Sequence, residues 1–232
     1  MSWGAVIVAA GRGQRFGRPK QLIEIAGKPM LAWSLEAFAS MPEVTALVVT
    51  TEAEFVPSVE ALVKRVAPVL GSRVIVGGAE RQDSVRLGLI ALSEREGTQT
   101  KFAFVHDGAR PMIRADDVRR GMAEVRPGSG ALLAIPVVDT IKQVNGSRRV
   151  TATLDRAKLW AAQTPQFGTL DDLLRAHQIA AQRGTRVTDD AALLEEAGLD
   201  VTVVEGRAEN FKVTVPADLV RAELILRART VV

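Results

Sequence analysis

Cysteine is absent from the 232-residue chain, which excludes disulfides, thiolate catalysis, zinc fingers and iron–sulfur clusters. Histidine is nearly absent: only His106 and His177 occur, so a multi-histidine metal site is excluded too. There is no tyrosine, and the three Trp and seven Phe leave few rings on which bases could stack. Net charge is also small. Thirty basic against 27 acidic side chains give +3, and no basic stripe forms despite a pI of about 9.6. Bulk nucleic-acid binding is therefore not expected, although a local anion site is open. No apolar run is long enough to span a bilayer, and the start, MSWGAVIVAAGRG, lacks the pattern of a signal peptide. The expectation is a soluble, cytoplasmic protein with no nucleic-acid or membrane partner.

What is present is globular: 47% hydrophobic and 25% charged residues, at a length suited to one α/β domain over residues 1–232. Short apolar runs read as strands at Ala5–Ala9, Ala46–Thr50, Arg73–Val76, Phe102–Val105, Ala131–Pro136 and Val201–Val204. Between them, apolar residues at three- and four-residue spacing predict helices over Met30–Ser40, Phe55–Val66, Ser84–Glu94, Asp116–Glu124, Leu170–Gln182 and Asp190–Glu196. A last helix, Pro216–Ala228, opens with proline in its first turn. Continuous apolar strands alternating with helices indicate a Rossmann-like, mostly parallel sheet flanked by helices.

One segment breaks the rhythm. Thr140–Val144 and Arg149–Thr153 flank Asn145-Gly146, a hairpin signal, within a subregion spanning 138–158. Its few apolar side chains cannot bury a face within their own domain, and an isolated hairpin is marginal in water. The expectation is a protruding arm that packs on a second copy of the chain, in preference to a loose surface ribbon.

The first strand runs into Ala10-Gly11-Arg12-Gly13-Gln14-Arg15-Phe16-Gly17-Arg18-Pro19-Lys20-Gln21. Glycines after a first parallel strand let backbone N–H groups approach a phosphate, at the edge where open α/β sheets bind ligands. A P-loop fails because Gln14 follows Gly13, and a dinucleotide fingerprint is disfavoured by Phe16, Gly17 and Pro19. The remaining reading is a phosphate-wrapping loop bearing Arg12, Arg15, Arg18 and Lys20, a cation density that suits a triphosphate. The bland alternative is a glycine turn with solvated charges.

Other segments are ambiguous by themselves. Asp107 ends an apolar strand, where it is equally a metal-holding carboxylate or a turn-capping residue; His106 reads as structural. Gly77–Ser84 is a glycine-rich turn between strand and helix, in which Asp83 or Ser84 would cap the helix. Lys212 alone reads as a solvated strand-end lysine, and the threonines as plain strand residues.

Together the motifs say more. AAGRGQRFGRPKQ resembles the signature of the sugar-nucleotide nucleotidyltransferases. GGAERQDSVRLGL, FVHDGARP, PVVDTIKQV, TLDRAKLWAAQTPQF, VTDDAALLEEAG and ENFKVTVPADL, in this order, resemble the 2-C-methyl-D-erythritol 4-phosphate cytidylyltransferase family over essentially the whole chain. Gly108 stands where that family often has alanine.

The resemblance implies an enzyme that joins CMP from CTP to a polyol phosphate, with Mg²⁺ as cofactor, in non-mevalonate isoprenoid precursor synthesis. The nucleophile is already a phosphate anion, which is consistent with a chain poor in Cys and His, and positioning and electrostatics carry the rate. Arg15 and Lys20 match the family's transition-state stabilisers, and Lys212 matches a residue that holds the acceptor phosphate. Nucleotide contacts fall at Ala9, Ala10, Gly11, Arg12, Gly13, Gly78, Ser84, Asp107 and Gly108, with Asp107 also the metal ligand. Arg110, Thr140, Arg156, Thr164 and Thr188 match the acceptor site. In a homodimer the arm would carry Thr140 and Arg156 to the partner's site. A ribitol 5-phosphate cytidylyltransferase is the competing enzyme, and a non-catalytic nucleotide sensor on the same fold is the competing class.

Overall fold

The computed structural model describes residues 1–11, 20–68, 70–94 and 100–230. Arg12, Gly13 and Arg15 lie outside them. In chain order the elements are β1 (Trp3–Val8), β2 (Glu24–Ile25), β3 (Lys28–Pro29), α1 (Met30–Ala39), β4 (Val44–Thr51), α2 (Val56–Val66), β5 (Gly71–Val76), α3 (Arg81–Ser93), β6 (Phe102–Asp107) and α4 (Ala115–Glu124). There follow β7 (Ser129–Pro136), β8 (Lys142–Val144), β9 (Val150–Thr153), β10 (Trp160–Thr169), α5 (Leu170–Arg183), α6 (Asp190–Glu196), β11 (Asp200–Glu205) and α7 (Pro216–Thr230).

Seven strands form one sheet in the order β11-β7-β10-β6-β1-β4-β5. The β1–β4, β1–β6, β4–β5 and β7–β11 pairings are parallel, and β10 runs antiparallel to both β6 and β7. Alternation along each strand builds a core on each face. Ala5 and Ile7 of β1, Leu47 and Val49 of β4 and Phe104 of β6 face α1, α2 and α4, where Leu35, Phe38, Leu62 and Val118 meet them. Val6, Val48, Ala103 and Val105 face the other way, onto Val85 and Leu89 of α3, Leu173 of α5 and Leu194 of α6. Local signals set the helix ends. Thr169 caps α5 through its side chain and Asp189 caps α6 likewise, while Gly184, with φ of +67°, closes α5 in the left-handed region.

Strand β10 is absent from the periodicity reading. Its middle is Gln163-Thr164-Pro165-Gln166, all buried, where apolar residues would be expected. The register shifts between Ala162 and Gln166, so the proline, which lacks an N–H, sits at a bulge rather than in a regular ladder. The helix α3 begins at Arg81 and not at Ser84, and neither Asp83 nor Ser84 caps it: the N-cap is Glu80, without a side-chain bond.

The hairpin β8–β9 forms its own two-stranded sheet. Asn145 closes it with backbone bonds to Arg148 and Arg149, and Arg148 takes the positive φ of +60°. Between 138 and 162 all residues but Ile141, Ala152 and Leu159 are exposed. In and beside the hairpin, Val138, Val144, Val150, Leu154 and Trp160 all stand in solvent. No helix among the described residues is long and apolar enough to cross a membrane.

Candidate active site

A cleft of about 420 Å³ opens at the carboxyl ends of the parallel strands, beside β1, where the chain runs out through β4 and β5 and then crosses back to β6 on the other side. The backbone after β1 supplies Ala10 and Gly11, the end of β4 supplies Glu52, the β5–α3 turn supplies Gly77 to Arg81, and β6 supplies Asp107. Lys20, Ser84 and Lys212 complete the walls. Elements far apart in sequence thus converge because their strands end on one edge.

The glycines in the β5–α3 turn are required by close approach. A Cβ on Gly77 would lie 2.6 Å from the Ala10 Cβ, and one on Gly78 would overlap Asp83. Ser84 is buried and pins this turn, its Oγ accepting from the Gly78 N–H at 3.0 Å. At Gly108 a Cβ would come 3.2 Å from the Val8 carbonyl, tight but accommodated by small shifts. Ala9 is buried behind the cleft wall, and Gln21 donates from its side chain to the carbonyls of Ala9 and Gly11.

Asp107 is the electrostatic centre. Its Oδ1 accepts from Arg81 Nε at 2.9 Å, its Oδ2 pairs with Lys212 Nζ at 2.9 Å, and Arg110 Nε lies 3.8 Å from Oδ2. Burial alone would raise its pKa, but Arg81, then Lys212 and Arg110, hold the carboxyl well below the usual range. The carboxylate therefore does not cap a turn; it stands ionised among three cations. Burial works against charge on Arg81 too, and Asp190 followed by Asp107 overrides it, raising the guanidinium further above its ordinary value.

Behind Asp107 the packing is polar and paired. Thr164 Oγ1 accepts from the Asp107 N–H at 3.0 Å and meets His106 Nδ1 at 3.1 Å. Thr164 is thus buried, with its hydroxyl occupied within the fold. His106 Nε2 lies 3.3 Å from Ser34 Oγ and 3.2 Å from the Arg110 carbonyl. Burial drives its pKa down to about 3, so it is neutral and structural.

Lys212 is placed by its neighbours. Val213 donates its N–H to Ala109 at 2.8 Å, and Asp218 of α7 accepts from the Thr214 and Val215 N–H groups. Lys20 Nζ donates to the Val213 carbonyl at 3.1 Å, which brings the two lysines to one segment. Asn210 donates to the Thr164 carbonyl at 2.9 Å and receives Arg110 Nη1 on its own carbonyl at 2.8 Å.

The fold therefore gathers Ala10, Gly11, Lys20, Gly78, Ser84, Asp107 and Lys212 at one cleft, with Arg110 joined to it through Asp107. It does not bring Thr140, Arg156 or Thr188 there. Arg156 donates to the Val138 carbonyl at 2.8 Å at the base of the arm; Thr140 and Thr188 are exposed. Sequence reasoning missed Arg81, Asp190 and Asn210. Arg81 was visible as a cation on a glycine-rich turn; Asp190, paired with it from 109 positions away, carried no local signal.

Among the described residues no group of three or more His, Cys, Asp or Glu side chains could hold a metal ion. One buried, ionised carboxylate in the wall of this cleft nonetheless fits a hard cation whose other ligands are phosphates and waters.

The sequence model of the family described as 2-C-methyl-D-erythritol 4-phosphate cytidylyltransferase matches residues 4–228. The protein of that name from Synechococcus elongatus is 43% identical over 226 residues, covering 97% of this chain and 96% of its own. That from Halalkalibacterium halodurans is 40% identical over 228 residues, covering 97% of each. The crystal structure of the Thermus thermophilus protein of the same name superposes with a TM-score of 0.78 at 32% identity, covering 98% of this chain and 100% of its own.

Proposed function

The chain belongs to the 2-C-methyl-D-erythritol 4-phosphate cytidylyltransferase family, and from that premise we propose how its residues divide the work. The reaction transfers CMP from CTP to 2-C-methyl-D-erythritol 4-phosphate, releasing pyrophosphate, in non-mevalonate isoprenoid precursor synthesis. A phosphate oxygen of the acceptor attacks the α-phosphorus; the bond from that phosphorus to the oxygen bridging to the β-phosphate breaks. No proton need be removed from the nucleophile, so the task is to bring two anions together and hold the charge that builds at phosphorus.

In our reading the triphosphate lies along Ala10, Gly11 and the loop with Arg12, Gly13 and Arg15, and cytosine sits against Gly78 and Ser84. Lys20 and Arg15 face the charge developing at the α-phosphorus. Lys212 and Arg110 receive the acceptor phosphate. Asp107 would hold Mg²⁺, which supplies charge neutralisation across the triphosphate when bound. Arg110 and Lys212, both at Asp107 Oδ2, are already held: Arg110 by the Asn210 carbonyl and the Lys212 segment by the Val213–Ala109 bond.

We also read the protein as a cytoplasmic homodimer. The arm exposes Val138, Val144, Val150 and Leu154, and its two paired strands are too small to be stable alone, which supports packing on a second copy. In that arrangement Thr140 and Arg156 serve the partner's cleft, and Thr164 supports its own from behind by holding the Asp107 N–H.

The observation that carries this reading is the cluster of Arg81, Arg110 and Lys212 on one buried carboxylate in the wall of the cleft. The test is a product assay with CTP and a panel of polyol phosphates. Methylerythritol phosphate is expected to show much the highest kcat/KM. Equal or better turnover of ribitol 5-phosphate would move the acceptor assignment.

A further inference from the structure

Arg81 spans two carboxylates. Its Nε reaches Asp107 Oδ1 and its Nη2 reaches Asp190 Oδ2, each at 2.9 Å. Asp107 lines the cleft; Asp190 does not, and is 1% exposed.

Asp190 is held from several sides. Its backbone N–H donates to Gln166 Oε1 at 2.8 Å, and His177 Nε2 lies 3.2 Å from its Oδ1. Gln166 is fixed in turn by Asp189, whose Oδ2 accepts from its amide at 2.9 Å. The bulged middle of β10, the first turn of α6 and the buried face of α5 thus converge on one carboxylate outside the lining of the cleft.

Lys212 pairs with Asp107 Oδ2, and a hard cation that binds Asp107 through Oδ1 must compete with Arg81 for that oxygen. Moving a largely buried guanidinium off its carboxylate strands an unpaired charge, which is strongly unfavourable, unless a second anion is already in place. Asp190 is that second anion.

We propose that Asp190 is a positioning residue for the transfer reaction: as the standing counter-ion of Arg81, it lets Asp107 exchange the guanidinium for the divalent cation of a metal–nucleotide complex. This rests on the reading of Asp107 as the metal-holding carboxylate. Without Asp190, Arg81 has only Asp107, grips it harder, and the cation binds less well. Without both Arg81 and Asp190, the competitor at Oδ1 is gone and binding returns there.

The experiment measures Mn²⁺ binding in the presence of CTP and without acceptor, by the electron paramagnetic resonance signal of free Mn²⁺, so that no turnover is involved. Asp190→Asn is expected to weaken Mn²⁺ binding by roughly tenfold. The double variant Arg81→Gln/Asp190→Asn is expected to recover affinity to the wild-type level or beyond, a non-additivity that a merely structural Asp190 would not produce. Affinity in Asp190→Asn equal to wild type, or a double variant as weak as the single one, overturns the proposal. Should Asp190→Asn fail to fold, Arg81→Gln alone decides: tighter Mn²⁺ binding supports the proposal and weaker binding overturns it. Asp107→Asn is the control. If it binds Mn²⁺ as the wild type does, the metal assignment fails and this proposal with it; loss of binding there beside a normal Asp190→Asn overturns only this proposal.

Discussion

Lys20 donates from its ammonium to the carbonyl of Val213 at 3.1 Å, one residue beyond the lysine that pairs with Asp107. A cation that follows the glycine loop is thereby set beside a cation that precedes α7, although 193 positions separate the bonded pair. Two ammonium groups oriented from one short segment can serve two different phosphates.

For Lys20 the consequence is kinetic. If it faces charge that develops only in the transition state, Lys20→Ala lowers kcat by roughly a hundredfold or more, with a smaller effect on the KM for CTP. Steady-state kinetics with both substrates decides. A raised KM at constant kcat would assign Lys20 to ground-state phosphate binding.

The exposed arm makes a prediction about pairs of subunits. Arg156→Ala and Lys20→Ala homodimers are each expected to be nearly inactive. Co-refolded in equal amounts, about half the dimers are mixed, and each mixed dimer has one intact site, so roughly a quarter of wild-type activity returns. A mixture as inactive as its parents, with mixed dimers demonstrated, would place Arg156 in its own subunit's chemistry or in structure alone.

Acid sensitivity has a defined source in His106. Its folded pKa is lowered to about 3 by burial, against about 6.5 in an unfolded chain. Below about 6.5 the unfolded chain binds a proton that the folded chain refuses. Stability contributed by the neutral ring is thus complete above that pH and is lost by up to about 1.4 kcal/mol per unit as pH falls toward about 3. Urea midpoints at about pH 7.5 and about pH 5, in chelator, are expected to show the slope, and His106→Gln to flatten it. An identical slope in the variant would move the acid sensitivity to other groups.

Gly121 tests the packing between α4 and β10. It lies in α4, where alanine would ordinarily favour the helix by about 1 kcal/mol. A Cβ there would overlap the ring of Phe167 in β10, which is fully buried. Gly121→Ala is therefore expected to destabilise by about 1–3 kcal/mol despite the gain in propensity. Denaturant unfolding reads the sign directly, and a stabilised variant would show that β10 can move away from α4.

Much of the architecture was legible because it is written in neighbouring residues. The unbroken apolar run Ala5–Ala9 identifies β1 locally, and the spacing of Leu31, Leu35 and Phe38 identifies α1 in the same local way. Gly11 after the first strand and Asp107 at the end of another marked the ligand edge, and the ordered motifs named the family. Strand β10 was not legible, because Gln163, Thr164 and Gln166 are polar yet buried. Their burial is tolerated only because Asn210, His106 and the start of α6 satisfy them from other parts of the chain. The same holds for Arg81: its place on a glycine turn is local information, but its carboxylates come from β6 and α6. Periodicity and turn chemistry act over a few residues and so can be read from the sequence alone. The pairing of buried polar groups depends on which distant segments the sheet brings together, and only the tertiary structure decided that.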